Sequence, residues 1–203
     1  MRGETNFDVV TSGAYEVRPA TLDDVRWAVW LAGQVYDELD AMPESVMLSW
    51  FEANPTGFST IWYDGERVGN FDVLPLKPRY LEQFLAGQLL ERDLPPESLY
   101  ARDQSDQIHH LYWESVVIDP NGKGSSGRML KTLTQAFPTI FGRVCPVQQI
   151  EKCYAISAST RGTNVLRRLG FTSTGRADQR LDAHQLFQAT LPELRVAIKL
   201  LFG

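Results

Sequence analysis

The chain has 203 residues, 43% of them hydrophobic, which is enough to bury one sizeable core. Its 20 Lys and Arg against 25 Asp and Glu leave a net charge of -5, which argues against nonspecific nucleic-acid binding, because that needs clustered cations to neutralise phosphates. No apolar run approaches the roughly 20 residues of a membrane helix, and Met1 to Asp8 has no apolar signal core, so a cytoplasmic protein with no membrane partner is expected.

In chain order, Tyr15 to Pro19 reads as an opening strand, and Thr21 with Asp24 three residues later starts a helix. Phe58 to Tyr63 and Glu66 to Val73 flank Asp64-Gly65, the signature of a tight hairpin turn. The segment 76–107 is too long for a structureless loop. Within it, Arg79 to Arg92 carries an amphipathic stripe of Tyr80, Leu81, Phe84, Leu85, Leu89 and Leu90 that Pro95-Pro96 terminates. A helix covering the sheet is the expected structural role, and a wall of an acceptor or acyl-chain pocket the functional one. Strand Leu111 to Ile118 follows, then a helix from Arg128 to Phe137, a strand from Cys153 to Ser157 and a helix from Thr160 to Leu169. Gln185 to Thr190 reads as a final strand and Leu194 to Phe202 as an apolar helix, packed on the core or forming a homodimer interface. One domain over 1–203 with a helical insertion at about 76–107 accounts for these elements. The two cysteines, Cys145 and Cys153, lack metal-ligand spacing and read as structural thiols, and no metal is expected.

The stretch Asp119-Pro-Asn-Gly-Lys-Gly-Ser-Ser-Gly-Arg128 joins a strand to a helix, where free backbone N–H groups and the positive helix end attract a phosphate. A Walker loop is excluded, because Val117 stands where its first glycine is required. Gly122, Gly124 and Gly127 satisfy G-x-G-x-x-G, but the loop lies late in the chain and Phe141 to Ile150 supplies no acid for a ribose, which argues against a dinucleotide.

The loop and the order of elements resemble the GNAT family of acyl-coenzyme A dependent N-acyltransferases. The family's Q/R-x-x-G-x-G/A loop matches Asn121-Gly-Lys-Gly124-Ser-Ser126, followed by Met129, Leu130 and Leu133 on the helix. Asn and Ser replace two of the three signature residues, and a second register places Lys123 in the Gln/Arg position. The late Leu169-Gly170-Phe171 matches the end of the family's late helix. The resemblance implies a mixed α/β (α+β), mostly antiparallel central sheet flanked by helices, with acetyl-CoA as cosubstrate and a small amine as acceptor attacking directly. It also implies cofactor contacts from Val116, Val117, Ile118, Asn121, Gly122, Lys123, Gly124, Ser125, Ser126, Gly127, Arg128 and Ser159, with Lys131, Arg161, Arg167 and Arg168 as further phosphate partners.

Acetyl transfer to an amine needs a base, because only the free amine is nucleophilic. Period-two alternation places His110, Tyr112, Glu114 and Val116 on one strand face, making Glu114 and His110 the candidate bases and Tyr112 an aromatic pocket or core residue. The family's usual general acid, a Tyr five residues before the Phe of Leu-Gly-Phe, is Leu166 here, which leaves Tyr154 or water as proton source. The family's frequent Asn is Ser159. Two alternatives stay open beside acetyl transfer: a long-chain acyl donor, or a GNAT-fold binding protein without catalysis.

Overall fold

The computed structural model describes residues 9–38 and 40–202, so the N-terminal octet read above for targeting lies outside it. Eight strands form one sheet in the order β1-β2-β3-β4-β5-β6-β8-β7. They are β1 (Val10–Ser12), β2 (Tyr15–Pro19), β3 (Phe58–Tyr63), β4 (Glu66–Leu74), β5 (His110–Ile118), β6 (Lys152–Ser157), β7 (Thr172–Thr174) and β8 (Gln185–Thr190). Every neighbouring pair is antiparallel except β5 with β6. The helices are α1 (Leu22–Val35), α2 (Glu44–Ala53), α3 (Pro78–Leu85), α4 (Ser126–Val144), α5 (Thr160–Arg168) and α6 (Leu191–Phe202).

Local chemistry sets several of these boundaries. Asp24 accepts from the backbone N–H of Thr21 at 2.8 Å, and its own N–H donates to the Thr21 hydroxyl at 3.2 Å, a reciprocal cap that starts α1. Arg67 then ties this helix start to β4 through Asp23 and Asp24. At the β3–β4 hairpin, Asp64 and Gly65 both take positive φ, 50° and 80°, the backbone that a primed two-residue turn requires.

Two apolar clusters face the two sides of the sheet. On one side α4 lays Phe137 and Phe141 against Phe71 and Trp113, with the Phe137 and Trp113 rings 4.9 Å apart. On the other, α1, α2 and α3 enclose Trp50, Phe58, Phe84 and Tyr112, with Phe84 edge-on to Tyr112 at 4.6 Å. Burying an aromatic side chain of this kind contributes about 1.5–3 kcal/mol. The stripe of the insertion is therefore spent on core packing through Leu81 and Phe84, as a sheet-covering helix would spend it. The helix is shorter than the spacing over Arg79 to Arg92 suggests: α3 ends at Leu85, and the chain then runs through short 3-10 turns. The short strands β1 and β7 and the helix α2 were not read from the sequence.

One expectation is overturned in β5. The register with β4 pairs Asp72 with Ser115 but Val73 with Trp113, so Glu114 is an extra residue with no partner across the ladder. A bulge resets the alternation. Tyr112 and Glu114 therefore do not share a simple face with Val116, which pairs with Phe71 on the α4 side, while Ser115 bonds to Asp72 and Asn70 on the other. The cause is a partner strand that period-two counting along one strand does not include.

Candidate functional site

β5 and β6 pair only from His110 with Lys152 to Trp113 with Ala155. Beyond that point β6 continues to pair with β8 through Ile156 and Ser157 but leaves β5, so the sheet opens at the Glu114 bulge. The opening holds two cavities that meet there. One, of about 640 Å³, runs between the end of β5 and the starts of α4 and α5, and the other, of about 680 Å³, lies under α1 and the segment after α3. Glu114, Ser115, Tyr36 and Ser157 line both.

The first cavity is built for an anion at one end. The first intrahelical bond of α4 is donated by Met129 to Ser125, so the N–H groups of Ser126, Gly127 and Arg128 stand at an open helix start. Ser126 and Gly127 line the cavity, and the start of α5 joins them through Thr160, Arg161 and Gly162. Two helix N-termini converge on one space, and each attracts negative charge. The walls toward the bulge are apolar: Val116, Val117, Ile118, Leu130 and Leu166.

Of the expected cofactor contacts, Val116, Val117, Ile118, Ser126, Gly127 and Ser159 line this cavity, whereas Asn121, Gly122, Lys123, Gly124, Ser125 and Arg128 are not among its lining residues. The loop N–H groups are partly spent within the loop itself. Asn121 N–H donates to the Asp119 carboxylate at 2.8 Å and Gly122 N–H to the Asp119 carbonyl at 3.1 Å. Ser125 N–H donates to the Tyr15 hydroxyl at 2.5 Å, and Lys123 pairs with Glu66 at 2.6 Å. The Ser159 hydroxyl caps α5 by accepting from Gly162 N–H at 3.0 Å.

The second cavity is acidic. Glu114 is half-buried, with Oε2 sealed from solvent and without a hydrogen-bond partner among the described residues. Burial, then the charges of Glu91 and Asp72, push its carboxyl well above the ordinary range. Glu91, from the turn after α3, is pushed up to about 7, again by burial first, while the Tyr112 hydroxyl and the charges of Arg180 and Arg92 hold it down. Asp72, fully buried, rises to about 7 by burial despite bonds from Asn70 at 2.7 Å and Ser115 at 3.2 Å. Tyr36, just past α1, is pushed up to about 12 by burial and by Glu114, Glu91 and Asp40.

The remaining sequence candidates separate from Glu114. Tyr112 is fully buried and lines neither cavity, and its hydroxyl is directed to the Glu91 carboxyl. His110 and Tyr154 line a third cavity, of about 340 Å³, at the far end of β5 and β6, where burial lowers the His110 pKa. Burial pushes the Cys153 thiol up to about 12 and Cys145 to about 11, which makes both poor nucleophiles. Among the described residues, no group of three or more His, Cys, Asp or Glu is placed to hold a metal ion, and no helix is long and apolar enough to cross a membrane. Tyr36 and Glu91 were missed in the sequence because nothing local marks them. Each acquires its place from contacts far along the chain.

No protein-family model and no curated protein sequence matches this chain. Solved structures do. The loading GNATL domain of CurA from Lyngbya majuscula is similar over 88% of this chain and 98% of its own, at 13% identity and a TM-score of 0.59. GphF, a GNAT-like decarboxylase in complex with isobutyryl-CoA, is similar over 86% and 98%, at 14% identity and a TM-score of 0.59. An acetyl transferase from Salmonella typhimurium that modifies the N-terminal serine of ribosomal protein L7/L12 is similar over 90% and 99%, at 14% identity and a TM-score of 0.56. With a mostly antiparallel sheet opened between one parallel pair of strands and helix starts gathered at that opening, this chain is a GNAT-fold protein.

Proposed function

We propose that this protein is an acyl-CoA dependent N-acyltransferase acting on a small cationic amine. The observation that carries the reading is the position of Glu114, a half-buried carboxyl with one sealed, unpartnered oxygen where the two cavities meet. The cofactor's phosphates would sit at the starts of α4 and α5, and its pantetheine arm along Val116 to Ile118. The thioester would then lie beside the bulge, with the amine entering from the acidic side.

In this mechanism the ammonium gives one proton to the Glu114 carboxylate, directly or through water, which frees the nitrogen lone pair. The lone pair forms the C–N bond at the thioester carbonyl, and the C–S electron pair departs on sulfur. The nitrogen's second proton leaves as the intermediate collapses, and the thiolate takes up one proton, so one proton is released overall. Tyr36, whose raised pKa keeps it protonated, stands at the junction as a hydrogen-bond donor for the departing sulfur, the task Leu166 lacks the chemistry to perform. No covalent enzyme intermediate is needed, and the two buried thiols offer none.

The GphF comparison raises decarboxylation of an acyl-CoA as a different chemistry. Its substrate would carry a carboxylate on the acyl group, and that charge would enter a space lined by Glu114 and Glu91. Burial already works against ionising these two carboxyls, and a further anion beside them would add to that cost, which favours the amine reading.

Calorimetric titration with acetyl-CoA, coenzyme A and a long-chain acyl-CoA tests the cofactor half of this reading, followed by thiol release in the presence of amines. Micromolar binding with amine-dependent thiol release is expected. A preference for the long-chain donor would replace acetyl by a longer acyl group. Binding without turnover would leave a GNAT-fold binding protein.

A further inference from the structure

We propose that Asp72 is a positioning residue for Glu114, the two carboxyls sharing one proton through the Ser115 hydroxyl that lies between them. This deepens the acyl-transfer reading and rests on it for the role of Glu114, while the sharing itself is readable without turnover.

The first support is the bonding around Ser115. The bulge that leaves Glu114 without a partner across the ladder sets Ser115 opposite Asp72. Asn70, two residues before Asp72 on the same face of β4, donates from Nδ2 to Asp72 Oδ2 at 2.7 Å and to Ser115 Oγ at 2.8 Å. Ser115 Oγ thus accepts from Asn70 and has a single hydrogen to give. Asp72 Oδ2 takes that hydrogen at 3.2 Å. The Glu114 carboxyl, whose pKa the same hydroxyl lowers, stands within its reach as well.

The second support is enclosure. Asp72 and Asn70 are 2% and 3% exposed. Asp72 lines neither cavity at the bulge, whereas Glu114 and Ser115 line both. Asp72 therefore meets no substrate and acts on the reaction through Ser115. Two buried carboxyls joined by one hydroxyl oppose each other's ionisation, and a proton held between them relieves this.

The third support is sign. Burial raises both carboxyls, Asp72 adds to the rise of Glu114, and Ser115 lowers each. The other groups facing Asp72 are Asn70, the Ser59 N–H of β3 and Arg143 of α4, all of which lower it. Facing Glu114 are Glu91, which raises it, and the protonated Tyr36 and Tyr112. With Asp72 protonated, its proton bonds Ser115 Oγ and the hydroxyl turns to the Glu114 carboxylate, the ionised base that the ammonium needs. Exchange along this chain breaks one O–H bond and forms one at Ser115 Oγ, so the negative charge changes carboxyl with no outside donor.

Carboxyl carbon NMR of the full-length protein, isotope-labelled at Asp Cγ and Glu Cδ, follows both groups directly, with Asp72→Asn and Glu114→Gln giving the assignments. In Asp72→Asn, Glu114 should ionise about one pH unit lower, a tenfold change in its ionisation constant. Ser115→Ala should move it higher, and Ser115→Thr, which keeps the hydroxyl, should titrate as wild type does. A Glu114 titration that Asp72→Asn leaves unmoved, or that Asp72→Asn and Ser115→Ala move in the same direction, would overturn the proposal, because lost packing gives no reason for opposite signs. Where Asp72→Asn does not fold, equal Glu114 titrations in Ser115→Ala and Ser115→Thr would overturn it. The rising limb of kcat/KM for acetyl-CoA dependent thiol release should shift in the same directions. Titrations of the expected signs without turnover would uphold the shared proton and overturn acyl transfer, and turnover with unmoved titrations would do the reverse.

Discussion

The Tyr15 hydroxyl holds both backbone groups of Ser125, accepting from its N–H at 2.5 Å and donating to its carbonyl at 3.2 Å. A side chain from β2 thereby fixes the residue that precedes α4, whose open N–H groups face the cleft. In Tyr15→Phe both bonds vanish, and because Ser125 is itself exposed, water replaces the lost partner and the loss is the anchoring of the loop, about 0.5–1.5 kcal/mol per bond. Acetyl-CoA affinity should fall about tenfold, read by calorimetry. Unchanged affinity would separate the loop anchor from the cofactor site.

Gly124 presses against the same tyrosine. It takes φ of +95°, and a Cβ there would lie 2.2 Å from the Tyr15 hydroxyl oxygen. Gly124→Ala should therefore lower both melting temperature and acetyl-CoA affinity. Gly127→Ala makes the control for stability, since its Cβ would meet nothing nearer than the Ser125 hydroxyl oxygen at 3.8 Å. Equal melting temperatures for the two variants would refute this account of the loop.

What the sequence made legible was short-range. The Thr21–Asp24 cap, the Asp64-Gly65 turn and the Leu169-Gly170-Phe171 helix end each depend on residues within a few positions of one another, and each lies where the residue chemistry indicated. Glu114 stood out as the acidic residue in an apolar strand. Its bulge did not, because a bulge is a relation between two strands and depends on the register with Asp72 and Val73. Tyr36 and Glu91 were invisible for the same reason, since α1 and the insertion meet β5 through contacts far apart in the chain. His110 and Tyr154 were as conspicuous as Glu114 on the strand pattern, yet they lie at the other end of the parallel pair.

Tyr36 provides a check on the assignment of the departing sulfur. Tyr36→Phe keeps the ring and removes the donor, so kcat should fall about tenfold or more while the dissociation constant for acetyl-CoA changes little. Rapid-quench measurement of a single turnover would show whether the chemical step is the one slowed. A normal single-turnover rate would assign proton delivery to water.

Glu114 must be ionised to accept the ammonium proton, and its burial beside Glu91 and Asp72 displaces ionisation above the ordinary carboxylate range. The rising limb of kcat/KM should accordingly lie at higher pH than for an exposed glutamate. Glu114→Gln should lose that limb and about 10²-fold or more in rate. A limb between pH 4 and 5, or an unchanged rate in Glu114→Gln, would remove Glu114 from the mechanism.

Stability should depend on pH through Asp72 in the opposite sense from an ordinary ion-paired carboxylate. Its folded pKa is raised from 3.8 to about 7, so between those values the folded chain holds a proton that the unfolded chain has released. Its contribution is thus fully present below pH about 4 and is lost as pH rises through about 7, with a slope of up to about 1.4 kcal/mol per pH unit for one group. Asp182 and Glu193, whose pKa values are lowered, work the other way, so the variant is compared with wild type rather than read alone. Asp72→Asn carries a fixed cost, because its amide would face the Asn70 amide that now donates to the carboxylate at 2.7 Å. That cost is independent of pH, whereas the carboxyl term is not. Guanidinium unfolding from pH 4.5 to 8 should show Asp72→Asn gaining on wild type as pH rises, and a difference that stays flat across this range would mean that Asp72 is ionised in the folded protein throughout.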